Sequence, residues 1–494
     1  MITDVLKKIG GHTMIYAGGT LASRAISLLM IPFYTRFLAP ADYGLLELLG
    51  LTTFVIGAVV GLGLEAAILR FYYDQPTEEG RREVISTVIL FGIALLMVVY
   101  AVLFTASPFI ALSVFKTETY SGYLRIAFIS LCLDTLVDLA LSYVRARQRS
   151  LRVSTLDLAR LVIALSLNVY FIAGLRLSVV GVLYSSLITS TIMATVLITT
   201  TLREVGSRFS AEKLVAMLRY GVPLIPMALG LFVLNFSDRF FLQAYTNLDT
   251  VGVYSLGYKF GMISGALITS PFLQFWAAYT YEVVERPDAR DVIARLQVYL
   301  TLLLLSFTLA LSVFSEELLR VLSPPEYWGA AHVIPIVGLA FVFMGLSHFF
   351  RVGLYYTKQT KYLGYAVGGS AILNLPLNLA LIPTFGAAGA AWATLISFVI
   401  LALATFKVSQ QIFPIRYEYV RLLKLILAGV AIYGASRLIR PQSLAVAIAV
   451  DLLFLTSFPV VLLAFRFYEA AELRKMRDIL RGLTQRISPR IETP

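Results

Sequence analysis

The segment GGTLASRAISLLMIPFYTRFLAPADYGLLELLG, residues 18–50, ends one long apolar run at a short polar turn and starts another. Runs of this kind continue through most of the 494 residues, of which 59% are hydrophobic and only 14% are charged. That charged fraction is about half the value of a typical soluble domain. Because a bilayer-spanning helix needs roughly 20 apolar residues, the chain is predicted to be an all-α polytopic membrane protein. A soluble multidomain enzyme is excluded.

Apolar runs of spanning length, separated by charged or Pro/Gly turns, occur fourteen times along the chain. We therefore predict about 14 transmembrane helices. Their approximate limits are 13–35, 44–69, 84–106, 121–144, 154–174, 178–201, 215–236, 252–279, 296–314, 332–355, 362–383, 386–406, 420–437 and 443–465.

The basic residues indicate how these helices are oriented. Of the 41 Lys and Arg residues, 29 fall in the two terminal tails and in the loops that follow even-numbered helices, 8 in the opposite loops and 4 within the predicted spans. Cytoplasmic loops carry such an excess, so both termini are predicted to be cytoplasmic. The net charge of +12 then follows from topology. A nucleic acid partner is not expected, because no segment is long or polar enough to form a soluble basic face.

The sequence also repeats itself. IPFYTRFLAPADYGLLELLG (31–50) resembles LNFSDRFFLQAYTNLDTVGVYSLGYKFG (234–261), which matches Arg36 with Arg239 and Gly44 with Gly252. A second repeated pair, residues 165–189 and 375–397, matches Asn168 with Asn378. Six helices separate the copies, so both copies run in the same direction. We predict two pseudo-symmetric six-helix lobes, residues 1–205 and 206–410, followed by residues 411–494 with helices 13 and 14 and a basic cytoplasmic tail. Such parallel repeats commonly place a substrate path between the lobes.

Motifs for catalysis are absent from the sequence. There is no GxxxxGK[ST] phosphate loop, and His12, His332 and His348 form no metal-ligand spacing. The single cysteine, Cys132, allows neither an internal disulfide nor a thiolate zinc site. The longest predicted outer loop covers only about residues 315–331. These observations predict a secondary transporter with no cofactor or metal, and not an enzyme.

Charges inside the predicted spans should identify the substrate class, because each costs about 3 kcal/mol or more in hydrocarbon and usually faces a cavity or a partner. Arg24 lies near the middle of helix 1, and Lys259 lies in the outer third of helix 8. Each is a candidate cation for an anionic head group. The alternatives are a buried pair of Arg24 with Asp134 or Asp138, and snorkelling of Lys259 to the outer interface.

Two further cations and two carboxylates complete this set. Arg160 follows Asp157 by one turn of helix 5, so a local ion pair competes with substrate contact, and Arg351 near the inner end of helix 10 is also explained by topology. Asp134 and Asp138 share a face of helix 4. Burial and their mutual repulsion make them candidates for coupling to H+ or Na+. Structural pairing with Arg160 or with the helix 1 arginine is the alternative.

Four stretches carry a family resemblance: residues 18–49, GLGLEAAILRFYYD (61–74), SDRFFLQAYTNLDTVGVYSLGYKFG (237–261) and LSPPEYWGAAHVIPI (322–336). In order and spacing they resemble the polysaccharide flippases of the multidrug/oligosaccharidyl-lipid/polysaccharide superfamily, over nearly the whole chain. By likeness to the family, Arg24 and Lys259 fall where its members carry cavity cations that meet a diphosphate. The central arginine of family helix 2 has no counterpart here, so the diphosphate site is only partly assigned.

The resemblance implies a bacterial inner-membrane flippase that moves undecaprenyl-diphosphate-linked oligosaccharides to the outer leaflet by alternating access, with ion coupling. It implies as partners the lipid-linked oligosaccharide, membrane lipids, a polysaccharide polymerase and glycosyltransferases. Two alternatives stay open. A cation-coupled drug exporter of the same superfamily would use acidic cavity residues such as Asp134 and Asp138. A membrane polysaccharide polymerase or ligase would need a larger outer loop with catalytic residues.

Overall fold

The computed structural model describes residues 30–439, 441, 443–470 and 472–474, and within these ranges every regular element is helical. Short 3-10 helices cover Glu118–Tyr120, Val222–Leu224 and Pro325–His332, and π-helical turns cover Val169–Gly174 and Gly265–Thr269. The α-helices are α1 (30–37, its described end), α2 (Pro40–Val60), α3 (Leu64–Asp74), α4 (Glu78–Phe115), α5 (Ser121–Ala146), α6 (Ser150–Asn168), α7 (Ser178–Val205), α8 (Ala211–Gly221), α9 (Ile225–Phe236), α10 (Asp238–Tyr245), α11 (Leu248–Gly261), α12 (Ser270–Val284), α13 (Ala289–Val313), α14 (Ser315–Leu322), α15 (Ile334–Phe350), α16 (Val352–Tyr356), α17 (Lys361–Ile412), α18 (Tyr419–Ser436) and α19 (Leu444–Ala464).

Eleven helical stretches in the described ranges are long and apolar enough to cross a membrane. The chain is therefore an all-α, multi-pass membrane protein, as its hydropathy predicts. These stretches are Pro40–Asp74, Glu78–Phe115, Ser150–Gly174, Ser178–Val205, Ala211–Phe236, Leu248–Gln274, Ala289–Val313, Ile334–Tyr356, Lys361–Ile412, Tyr419–Ser436 and Leu444–Ala464.

The 52-residue helix α17 is a hairpin rather than a single rod. Gly386 has φ +52° and ψ −128°, a conformation open mainly to glycine. The Asn374 side-chain amide donates to Ser397 Oγ at 3.0 Å, although 23 residues of straight helix would separate these residues by roughly 35 Å. The predicted spans 362–383 and 386–406 correspond to the two arms of this hairpin.

Helices α2 and α11, one from each half of the chain, cross in direct backbone contact. A Cβ added at Gly44 would lie 2.1 Å from the Leu248 carbonyl oxygen, and one added at Gly252 would lie 2.0 Å from the Pro40 carbonyl oxygen. Gly44 and Gly252 are the residues that the sequence repeat matches, and each contacts the residue four positions before the other. The side of the molecule that carries this crossing is called the Gly44 end below.

A second close glycine contact, between Gly63 and Gly221, lies just beyond the C-terminal end of α2. A Cβ added at Gly63 would lie 2.4 Å from the Gly221 carbonyl oxygen, and Gly63 has φ +66°. Beside this crossing, Lys213 Nζ lies 2.5 Å from Glu83 Oε2, so an ion pair also joins α8 to α4. This side is called the Gly63 end. The two halves of the chain therefore touch through glycine at both ends of α2.

The segment between α13 and α15 covers the Gly44 end. The Tyr327 hydroxyl donates to the Leu38 carbonyl at 2.9 Å, and Thr35 Oγ1 donates to the Leu322 carbonyl at 3.2 Å. The predicted outer loop 315–331 is thus helical and holds the α1–α2 turn. Helix α18 is attached to this segment, since Arg437 Nη1 lies 3.1 Å from Glu316 Oε1.

We expect Gly44→Ala to destabilise the protein, because the added methyl group would overlap the Leu248 carbonyl. Overpacking of this kind costs roughly 1 to 3 kcal/mol or more. Gly50→Ala on the same helix is the matched control, since a Cβ there meets nothing within 4 Å and removal of a helical glycine is favourable by about 1 kcal/mol. Thermal unfolding in detergent should show a lower midpoint for the first variant only. Equal midpoints would contradict the crossing.

Candidate functional site

A cavity of about 480 Å³ lies at the Gly44 end, between α1, α2, α6 and α11. It is built from both halves of the chain. Four polar side chains line it: Tyr34, Tyr43, Asn168 and Lys259. The rest of its wall is apolar and consists of Met30, Ile31, Leu161, Ala164, Leu165, Met262, Ile263, Ala266 and Leu267.

The polar groups gather where the cavity approaches the α1–α2 turn. The two tyrosines flank that turn. Asn168 ends α6, and the following helix begins beside α2, because Ser178 Oγ donates to Asp42 Oδ2 at 2.7 Å. Lys259 lies on α11, whose start crosses α2 at Gly44. Away from this end, α1, α6 and the residues that follow α11 contribute only apolar wall residues, so the cavity is amphipathic along its length.

Lys259 joins the two halves across the cavity wall. Its ammonium donates to Tyr43 OH at 2.9 Å and lies 2.9 Å from Glu47 Oε2. The Lys259 side chain is 40% exposed, whereas that of Glu47 is 15% exposed. Because an ammonium group has three N–H donors, one donor is left to face the cavity. Lys259 thus forms an ion pair with α2, and a free donor for an anion is compatible with that pair.

A second cavity, of about 550 Å³, runs along α2 from Leu46 and reaches Glu65 at the start of α3. From Leu46 to Val60 the helix α2 rises roughly 21 Å, from the Gly44 end towards the Gly63 end. Asp134 and Asp138 of α5 line it together with hydroxyl groups, among them Ser130, Thr53, Thr135 and Ser186. Its wall is acidic, in contrast to the cavity of Lys259.

The two aspartates of α5 are held by Arg160 of α6. Arg160 Nη2 donates to Asp134 Oδ1 at 2.6 Å, and Ser190 Oγ donates to the same oxygen at 2.6 Å. Arg160 Nη1 lies 3.8 Å from Asp138 Oδ1. Among the described ion pairs Arg160 therefore contacts α5, which is the structural pairing considered as the alternative role of Asp134 and Asp138, and a pair with Asp157 is not among them. About 30% of the Arg160 and Asp134 side chains stays exposed.

The other predicted cations lie elsewhere. Arg24 falls outside the described residues. Arg351 is buried between α15 and α16, and within the described part of the chain its Nε and Nη2 have no hydrogen-bond partner. The structure therefore brings Lys259 to one cavity and Arg160 to the edge of another, and it keeps Arg351 apart from both.

Sequence reasoning missed two charged sites. Glu47 is the partner of Lys259, and the available signal was its position one turn after Tyr43 on a helix that starts at a polar turn. Asp238 and Arg239 form a fully buried pair at 2.6 Å, and Tyr254 and Thr394 also donate to Asp238. The repeat matched Arg239 with Arg36, but Arg36 is exposed. A match between two stretches of sequence does not show whether the matched side chains are buried or exposed.

Residues 9–276 match the family described as polysaccharide biosynthesis protein. A relative from Haloferax volcanii, described as the probable low-salt glycan biosynthesis flippase Agl15, is 23% identical over 240 residues, which are 46% of this chain and 50% of that protein. This chain therefore spans about half the length of that curated relative.

Two solved structures share the fold. The lipid II flippase MurJ in an inward closed conformation superposes with a TM-score of 0.75 at 14% identity and covers 92% of this chain and 100% of its own. An inward-facing multidrug resistance transporter of the MATE family, in the MOP superfamily, gives a TM-score of 0.63 at 14% identity, with 82% and 96% covered. The predicted polysaccharide family is confirmed, and the fold is the one that these transport proteins have.

We expect Arg160→Met to lower the midpoint of thermal unfolding, because it removes the cation that compensates the Asp134 carboxylate. The loss should be about 1 to 3 kcal/mol, the value of a charge-assisted hydrogen bond. The double variant Asp134→Asn with Arg160→Met should recover part of it. Arg70→Met is the matched control, since the Arg70–Asp74 pair is about 60% exposed and is expected to contribute little. Strict additivity of the two single changes would contradict the coupling.

Proposed function

The chain belongs to the polysaccharide biosynthesis protein family, and on that premise we propose that it is a flippase for lipid-linked oligosaccharides. It moves undecaprenyl-diphosphate-linked repeat units from the cytoplasmic to the outer leaflet of the bacterial inner membrane, for synthesis of O-antigen, exopolysaccharide or capsule. The description of the Haloferax relative as a glycan biosynthesis flippase supports this proposal. The fold shared with a lipid II flippase supports it as well.

The amphipathic cavity of Lys259 is the observation that carries the proposal. A sugar diphosphate cannot enter hydrocarbon unaided, because its polar groups would lose their hydrogen bonds. A lipid-linked sugar is itself amphipathic, with an anionic, hydroxyl-rich head and an apolar tail. A cavity with a cation, two phenols and a carboxamide at one end and only apolar side chains beyond them matches that division.

The proposed topology has fourteen transmembrane helices in two six-helix lobes, residues 1–205 and 206–410, and two appended helices within 411–494. Counting α5 and both arms of the α17 hairpin gives thirteen spans in the described ranges, and the helix that ends at residue 37 is the first. Both termini are cytoplasmic in this topology, since the basic loops then lie inside. The Gly44 end is the outer face and the Gly63 end is the inner face.

The proposed diphosphate site consists of Lys259 and Arg24. Arg160 and Arg351 are further candidate cations for the head group as it moves through the protein. Asp134 and Asp138, in the acidic cavity along α2, are the proposed site for a coupled H+ or Na+. Outward movement of two negative charges is also favoured by a negative cytoplasm, by roughly 4 to 5 kcal/mol per 100 mV.

The acidic cavity favours a second candidate function, export of lipophilic cations. Asp134, Asp138 and Glu65 line it, and carboxylates suit a cationic substrate. Arg160, however, already compensates the first two. Transport of tetraphenylphosphonium by the purified protein in liposomes, in the absence of any transport of undecaprenyl-diphosphate sugars, would favour the exporter over the flippase.

We expect Lys259→Gln to reduce flipping of undecaprenyl-diphosphate sugars in proteoliposomes at least about tenfold, a change equivalent to about 1.4 kcal/mol, because the cavity loses its ammonium. Arg24→Gln should abolish flipping while membrane insertion is retained. Lys407→Gln, at an exposed site on α17, is the matched control and should transport normally. Normal transport by a stably inserted Lys259→Gln or Arg24→Gln protein would overturn the proposed diphosphate site.

We expect Glu47→Gln to bind undecaprenyl diphosphate about tenfold more tightly, or about 1.4 kcal/mol, because Lys259 loses the carboxylate that competes with the ligand. Its transport rate should fall, since release of the ligand becomes slower. Binding in nanodiscs and flipping in liposomes measure the two effects. Glu118→Gln, at an exposed site, is the control. Weaker binding by Glu47→Gln would contradict the competition.

A further inference from the structure

Asn168 occupies an unusual position in the cavity of Lys259. It ends helix α6, and the chain continues directly into the π-helical turn Val169–Gly174. Its residue surface is 7% exposed, and it lies on the cavity wall. Within the described part of the chain its Oδ1 has no hydrogen-bond partner. An unsatisfied buried carboxamide oxygen is costly, and here the carboxamide borders a cavity.

One face of α6 lines the cavity, and Asn168 is the polar residue at the end of that face. Leu161, Ala164, Leu165 and Asn168 line the cavity at the spacing of one helix face. The first three are apolar and face the apolar part of the cavity. Asn168 is one turn beyond them, at the end where Lys259 lies. A carboxamide at that place can meet the group attached to a phosphate held by Lys259.

The matched asparagine in the second half of the chain shows what a structural role looks like. Asn378 is fully buried, and its Nδ2 donates to Asn374 Oδ1 at 2.8 Å and to Ser237 Oγ at 3.5 Å. Asn374 in turn donates to Ser397 at 3.0 Å. This copy is part of a polar network that joins both arms of α17 to Ser237, directly after α9. Asn378 Oδ1 also lacks a partner among the described residues, so the two copies differ at the amide nitrogen and in their surroundings. No described side-chain hydrogen bond involves Asn168, which borders a cavity instead.

We propose that Asn168 is a specificity residue that recognises the first sugar of the lipid-linked glycan, beside the diphosphate at Lys259. This inference rests on the proposed function. A carboxamide offers both an N–H donor and a carbonyl acceptor, which suits the hydroxyl and acetamido groups of a hexose ring. In this proposal Lys259 contacts the diphosphate, whichever sugar it carries. Asn168 contacts the sugar.

The test uses the purified full-length protein in nanodiscs and measures dissociation constants for four probes. These are undecaprenyl diphosphate without sugar, and the same lipid carrying N-acetylglucosamine, glucose or galactose. We expect the unaltered protein to bind at least one of the sugar-bearing lipids about tenfold more tightly than the bare diphosphate. Asn168→Ala should remove that preference and leave the dissociation constant of the bare lipid unchanged. Asn168→Gln, which keeps the carboxamide, should restore part of the preference.

Control variants separate recognition from folding. Lys259→Gln should weaken all four lipids by a similar factor. Asn378→Ala should lower the thermal midpoint and keep the preference for sugar. The inference is overturned if Asn168→Ala retains the preference, if it weakens all four lipids equally, or if the unaltered protein binds bare and sugar-bearing lipids alike. An unaltered protein that binds none of the four overturns the proposed function itself, and the inference with it.

Discussion

A charge inside a bilayer has to be compensated, and in this protein the compensation also joins the two halves of the chain. Lys259 on α11 pairs with Glu47 on α2 at 2.9 Å, next to the point where both backbones meet at Gly44 and Gly252. At the far end, Lys213 pairs with Glu83 beside the crossing of Gly63 and Gly221. Each end thus combines a glycine contact, which needs close approach, with an ion pair, which a competing ion can break.

Much of the fold could be predicted because apolar length and turn residues are local signals. The hairpin of α17 falls where two runs meet at Gly386, and the repeat matched the very glycines that touch. The break at Gly61–Gly63 divides one predicted span into α2 and α3, and its two glycines were counted as part of an apolar run of spanning length. The partners of the charged residues were harder still. Helical spacing relates Arg160 to Asp157 on the same helix, whereas the observed partner Asp134 depends on how α5 packs against α6.

The candidate site lies where the two halves differ, and the repeat cannot predict that difference. If Gly44 corresponds to Gly252, then Lys259 corresponds to Leu51, so one copy supplies a cation where the other is apolar. Asn168 and Asn378 differ in the same way, since one faces a cavity and the other a buried network. In the proposed alternating access, the two halves move against each other, and the side chains that differ between them would bind the ligand.

The pairing of Lys259 also bears on how binding could be linked to movement. A free ammonium in an empty cavity would be poorly solvated, whereas a paired one is stable until a stronger anion arrives. In the proposed function, a diphosphate carries more charge than one carboxylate and would displace Glu47 from Lys259. Glu47 would then no longer hold α2 to α11, and the contact between the halves at the Gly44 end would depend on the glycine crossing and the α14 segment. Occupancy of the cavity would in this way weaken the joint that must open for release, and an empty cavity would restore it.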